Sequence, residues 1–246
     1  MLPELTFPYL IPGQEVLLDD GKIHLKIVEK AENVTENGGE NTQEKRYFAK
    51  VLWGGLLKSR KSAALPGAKI YPPTLTNSDL ANIKIAKEMG VTGVMQPFVR
   101  DHSDLECVKE ALREAGAEDI RLFAKIENMD GVRKLEKLLP AADEIVIARG
   151  DLGNAVHLWD LPGVQRQISE KCRAAGKPFM VVTQMLASME RSPVPTRAEV
   201  NDIFHAVMDG AASIMVTGET AVGDYPVEVI RYMVNTVRSA EKEENR

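Results

Sequence analysis

Hydrophobic and polar positions change period once along this chain, and that change organises everything else. Up to about residue 62 the period is two. In "VLLDDGKIHLKIVEK", Asp20-Gly21 reads as a turn, after which Ile23, Leu25 and Ile27 alternate with Lys22, His24 and Lys26. That alternation predicts a hairpin with one buried face and His24 on the polar one. "ENVTENGGENTQ" reads as a second, looser turn, and "RYFAKVLWGG" resumes a strand. The segment 1–66 is therefore expected to be a small β domain.

From Pro66-Gly67 onward short apolar runs alternate with helical stripes. The runs are "VTGVMQPF", "RLFAKI", "EIVIA", "PFMVVT" and "ASIMVT", rich in Val, Ile and Phe as strands covered on both faces require. Helix ends are marked as well. "SDLE" (Ser103 to Glu106) and "TRAE" (Thr196 to Glu199) read as capping boxes, and Gly116, Gly176 and Gly210 stand where helices should stop. After Thr196 the positions Val200, Ile203, Phe204, Val207 and Met208 form one stripe and predict a core face.

Five strands, each followed by a helix, are consecutive βα units of a parallel sheet. The alternatives are a doubly wound sheet and a β/α barrel. No G-x-G-x-x-G follows the first strand and no Walker A loop occurs, whereas polar residues end nearly every strand: Arg100; Lys125 and Glu127; Arg149 and Asp151; Thr183; Glu219 and Thr220. The carboxyl ends of barrel strands converge on one mouth, where catalytic groups collect, so the pattern favours the barrel. Glu127 and Asp151 offer hard carboxylate oxygens suited to Mg²⁺, and Lys125, two residues before Glu127 on the same side of its strand, offers a compact positive charge to an anion. Taken one at a time these features have plainer readings: a strand-end ion pair for Lys125 and Glu127, a helix N-cap for Asp151, packing for Thr183, and surface for Glu219.

Composition narrows the function classes. The chain has 246 residues, 44% of them hydrophobic, and a net charge of −5 without basic runs, which excludes a phosphate-backbone groove and hence a nucleic-acid partner. No run approaches the roughly 18 apolar residues of a membrane span, and the amino terminus has no basic leader, so a cytoplasmic location is expected. Cys107 and Cys172 are far apart and suit reduced thiols. None of the four histidines has a His or Cys at ligand spacing, and all are expected at the surface or behind a site.

"KIENMDGV", "IVIARGDLG", "AAGKPFMVVTQML", "SPVPTRAEVNDIFHAVMDGA" and "MVTGETAVGDYPVEVI" closely resemble, in order, successive barrel segments of pyruvate kinases. More weakly, "VLLDDGKIHLKIVE", "ENGG" and "LPG" resemble that family's small inserted β domain and its return to the barrel. The resemblance implies a TIM-type β/α barrel of which 67–246 supplies the last five βα units. The first three strands and the carboxy-terminal regulatory domain of the family have no counterpart here. It implies phosphoryl transfer from phosphoenolpyruvate to ADP, giving pyruvate and ATP in glycolysis. Residue by residue, Lys125 matches the lysine that stabilises the phosphoryl group, and Glu127 and Asp151 match the ligands of Mg²⁺ (or Mn²⁺). Gly150 and Asp151 match substrate contacts, and Thr183 matches the threonine linked to enolate protonation. Arg149, Glu219 and Thr220 are left as supporting residues behind these.

The family's K⁺ ligands and its phosphate-binding arginine belong to the strands without counterpart. Two departures stand out: Pro97 replaces a serine in "PFVR", and Asn154-Ala155 replaces a hydrophobic residue and Glu after "GDLG". Expected partners are phosphoenolpyruvate, ADP or ATP and pyruvate, with association into a homo-oligomer or with a separate amino-terminal part. Two other functions stay open: a related barrel that binds Mg²⁺ and an oxo-acid for lyase- or aldolase-like chemistry, and a non-enzymatic fragment.

Overall fold

The computed structural model describes residues 2–19, 21–31, 46–59 and 61–244. The segment "ENVTENGGENTQ", Asp20 and the last two residues lie outside them. Two compact units divide the chain, Met1–Pro73 and Thr74–Arg246.

The first unit is an antiparallel sheet of β1 (Glu15–Leu18), β2 (Ile23–Lys30), β3 (Tyr47–Trp53) and β4 (Ala63–Ala64), in the order β3-β2-β1-β4. The turn between β1 and β2 carries Asp19 at φ 50° and Gly21 at φ 82°, with Lys22 N–H donating to the Asp19 carbonyl. Leu10, Val16, Ile27 and Leu65 form its small core. His24, expected on a solvent-facing polar side, is covered instead. It is buried, its imidazole meets the Trp53 ring edge-on at 4.2 Å between centroids, and Nε2 lies 3.1 Å from Glu15 Oε2. In the β2–β3 pairing His24 faces Trp53 while Leu25 faces Val51, so the extra residue, Leu52, lies on β3 and Trp53 comes opposite His24 and covers it.

The second unit is α/β. Its parallel strands β5 (Gly93–Gln96), β6 (Arg121–Ile126), β7 (Glu144–Ala148), β8 (Phe179–Val182) and β9 (Ser213–Met215) neighbour one another in chain order. Doubly wound sheets reverse their strand order at a switch point. This one winds in a single direction, as barrel units do.

Before, between and after these strands lie α1 (Asn77–Ala86), α2 (His102–Glu114), α3 (Met129–Arg133), α4 (Leu135–Leu138), α5 (Arg149–Ala155), α6 (Leu161–Ala174), α7 (Arg197–Met208), α8 (Gly218–Ala221) and α9 (Pro226–Glu244). One face of each inner strand packs with the helices: Leu122, Ala124 and Ile126 of β6, Ile145 and Ile147 of β7, and Phe179 and Val181 of β8, all essentially inaccessible. All five residues of β7 are buried, as the middle strand of five should be.

The helix ends follow local chemistry with two corrections. Thr196 and Glu199 form the expected capping box, and a second, unpredicted one joins Thr76 and Asp79 at the start of α1. At α2 the cap is Asp101, whose carboxylate accepts from Ser103 N–H at 3.0 Å, so Ser103 lies inside the helix and does not cap it. Gly116, Gly176 and Gly210 all take the left-handed φ of a helix stop, 63°, 61° and 87°. Along α7, Ile203, Ala206 and Val207 are the buried positions, while Met208 is 39% exposed and leaves the predicted core face. No helix among the described residues is long and apolar enough to cross a membrane.

Candidate active site

Lys125 and Glu127 explain why an apolar strand ends in opposite charges. They share the face of β6 turned away from Leu122, Ala124 and Ile126, and Lys125 Nζ lies 2.8 Å from Glu127 Oε1. The Glu127 side chain is 2% exposed and that of Lys125 24%. A carboxylate so withdrawn from water needs donors on both oxygens. Lys125 serves one, and the backbone N–H of Phe98 serves Oε2 at 2.7 Å. Phe98 has φ 51°, the turn that aims its N–H at the carboxylate.

The residues after Glu127 hold that loop in place. Asn128 caps α3 by accepting from Gly131 N–H at 2.9 Å, and its Nδ2 donates to the Val99 carbonyl at 3.1 Å. Val99 N–H in turn donates to the Lys125 carbonyl at 3.3 Å. "KIENMDG" is thus one docking element for the loop after β5.

At the end of β7, α5 starts directly at Arg149, so Gly150 and Asp151 fall in its first turn. Asp151 is half-buried and does not act as the N-cap, which is Ala148. The parallel pairing of Ile126 with Ile147 brings Glu127 and the start of α5 to the same end of adjacent strands. Gly150 has a steric reason to be glycine: a Cβ there would stand 3.0 Å from Thr183 Cγ2.

Thr183, at the end of β8, has φ 80°, and Gln184 follows at 55°. Two consecutive non-glycine residues in the left-handed region, one of them β-branched, are a costly backbone. Arg149 supplies the offset. Its Nε and an NH2 nitrogen donate to the Thr183 carbonyl at 3.1 and 2.7 Å, and its other terminal nitrogen meets both Asp202 oxygens at 2.8 and 2.7 Å.

The other strand-end residues turn elsewhere. Arg100, read from the sequence as part of the mouth, folds back onto α2. Its Nε and NH2 donate to Asp104 at 3.0 and 2.5 Å, and its backbone N–H donates at 2.8 Å. Glu219 is 2% exposed and braces the chain by accepting from Thr217 N–H at 2.8 Å and Leu186 N–H at 3.2 Å. Thr220 Oγ1 donates to the Thr217 carbonyl.

A profile of the pyruvate kinase barrel domain matches residues 6–230. The chain is 38% identical over 230 residues to the pyruvate kinase of Bacillus licheniformis, covering 94% of this chain and 38% of that protein. It is 40% identical over 233 residues to that of Geobacillus stearothermophilus, at 93% and 38% coverage. With the Clostridium acetobutylicum pyruvate kinase it shares 35% over 234 residues, covering 95% of this chain and 47% of that protein. The chain belongs to the pyruvate kinase family.

It spans less than half the length of these curated pyruvate kinases. Sequence reasoning missed two residues of this candidate site. Asp202 lies within "TRAEVND", where it reads as one more polar position of an amphipathic helix. Phe98 enters through its backbone N–H, and side-chain chemistry gives no signal for that.

Proposed function

We propose that this chain carries a phosphoryl-transfer site of the pyruvate kinase type, acting on phosphoenolpyruvate and ADP to give pyruvate and ATP. The observation that carries the reading is the Lys125–Glu127 pair, a cation held on a buried carboxylate at the carboxyl end of a strand. A phosphoryl group in flight spreads negative charge over its oxygens, and catalysis consists mostly of positioned positive charge. The Lys125 ammonium supplies that charge, and Glu127 keeps its long side chain from wandering.

The bond from phosphorus to the enol oxygen breaks as a bond from phosphorus to a terminal ADP oxygen forms. The enolate left behind takes a proton at its methylene carbon and becomes pyruvate. Thr183, beside Gly150, is the group from which that proton is relayed. Gly150 and Asp151 contact the substrate.

The donor set suits Mg²⁺ or Mn²⁺. Each carboxylate oxygen keeps acceptor capacity beyond one hydrogen bond, and Mg²⁺ is commonly held by one or two carboxylates with water and substrate oxygens completing its shell. Glu127 and Asp151 would hold it, and the bound cation would neutralise charge on the phosphate oxygens.

The test is release of pyruvate followed by a lactate-dehydrogenase-coupled assay, on the chain alone and with an added polypeptide that supplies further βα units. Strands β5 and β9 each have one neighbour in this sheet, and a closed barrel takes its remaining strands there. Pyruvate formation that requires phosphoenolpyruvate, ADP and a divalent metal is expected. No release under either condition would overturn the proposal.

A further inference from the structure

Arg149 makes a clamp out of groups of its own chain. Its side chain is 13% exposed, and its five donors converge on three groups: the Thr183 carbonyl, the Asp202 carboxylate and the Met185 sulfur at 2.9 Å. It starts at the end of β7, grips the turn after β8 and is braced from α7. Only a guanidinium fork can meet a carbonyl edge-on and a carboxylate side-on together, since the ammonium of lysine is a point donor.

The gripped carbonyl is that of a residue at φ 80° followed by one at 55°. Such a step is strained, and persists only where its surroundings over-determine it. Gly150 packs closely on the same threonine, so that a Cβ there would stand 3.0 Å from Thr183 Cγ2.

We propose that Arg149, braced by Asp202, is a positioning residue. It holds Thr183 in the left-handed conformation and so sets where the Thr183 hydroxyl stands at the end of β8. The inference rests on the reading of Thr183 as the proton-relaying group, and it adds the device that aims it. With the fork gone, the Thr183–Gln184 step relaxes toward the extended region, the hydroxyl moves, and the proton step slows while the Lys125–Glu127 pair on β6 is untouched.

The experiment compares the 246-residue chain with its Arg149→Met, Arg149→Lys and Asp202→Asn variants by two readouts. The first is the backbone conformation of Thr183, from its amide-to-Hα coupling and carbon shifts in threonine-labelled protein. The second is exchange of pyruvate methyl protons for deuterium, the reverse of enolate protonation, followed by proton NMR. In Arg149→Met the left-handed signature is lost, and maximal exchange falls about 100-fold, the scale of a displacement near 1 Å, with half-saturating pyruvate and Mn²⁺ affinity unchanged. Arg149→Lys, which keeps a single point donor, and Asp202→Asn, which keeps the fork but weakens its brace, fall between.

Retention of the left-handed signature in Arg149→Met overturns the proposal, as does retention of exchange. If Arg149→Met does not fold, Asp202→Asn decides by the same two readouts. A parent chain that shows the signature without any exchange, both alone and with the added βα units, counts against the pyruvate kinase reading, and the signature in the variants then decides the clamp by itself.

Discussion

The Val99 carbonyl oxygen lies 2.6 Å from where a Cβ on Gly131 would stand. This is a backbone atom that cannot swing aside, because Asn128 Nδ2 and the Lys125–Val99 contact both hold the loop. Gly131→Ala is therefore expected to destabilise the chain by about 1–3 kcal/mol, and to loosen the Phe98 N–H from Glu127. Gly163→Ala, in α6 with open space around it, is the control and should be neutral or stabilising by up to about 1 kcal/mol. Urea unfolding of the two variants checks this.

Replacing Lys125 tests charge against packing. Lys125→Met should lower turnover by about 10²-fold or more, the scale seen when a preorganised charge or donor at a transition state is removed. It also leaves the buried Glu127 with the Phe98 N–H as the one donor identified for it, so the unfolding free energy should fall by about 1–3 kcal/mol. Lys125→Arg, which keeps the charge, should recover most of the stability and little of the turnover. Turnover that survives in Lys125→Met would remove the residue from the reaction.

Metal affinity separates the carboxylates from the lysine. Glu127→Gln combined with Asp151→Asn should abolish Mn²⁺ binding measured by calorimetry or water-proton relaxation, because amide oxygens carry no net charge to neutralise a divalent ion. Arg100→Gln, whose guanidinium serves Asp104, should leave that affinity unchanged. Equal Mn²⁺ affinity in the double variant and the parent would exclude the pair as ligands.

Acid should weaken the fold through Asp104. Burial pushes its carboxyl up, but the hydrogen bonds from Arg100 and Thr74 outweigh that and hold it at about 2, below the ordinary 3.8. A group whose folded value is depressed adds stability that is fully present above its unfolded value and lost as the pH falls through the folded one. The contribution is about 2 kcal/mol. The advantage of the parent over Asp104→Asn should be constant above pH 5 and shrink from about pH 4 down to pH 2. Chemical unfolding at several pH values measures it, and an advantage independent of pH would show that the carboxylate charge is not what matters.

The second unit was largely legible along the chain because its signals are local. "EIVIA" coincides with β7, where a strand covered on both faces reads as an apolar run, and "RLFAKI" coincides with β6, where Leu122, Ala124 and Ile126 alternate with less buried positions. Thr196 and Glu199 cap α7 because both partners lie within one turn. The Lys125–Glu127 pairing follows from the two-residue period of a strand.

Contacts between segments distant in sequence were decided by the tertiary structure. Arg100 and Arg149 are both arginines at strand ends, yet one serves its own helix at Asp104 and the other spans 53 positions to Asp202. Nothing in their local sequence distinguishes those fates. A bulge at Leu52 of the facing strand brings Trp53 over His24 and buries it. The left-handed Thr183 and the Phe98 N–H on Glu127 exist because neighbouring strand ends hold them. Strand and cap propensities act over a few residues, and the chain states them directly; hydrogen bonds that close over long loops depend on how the packed strands align, and only the folded sheet sets that.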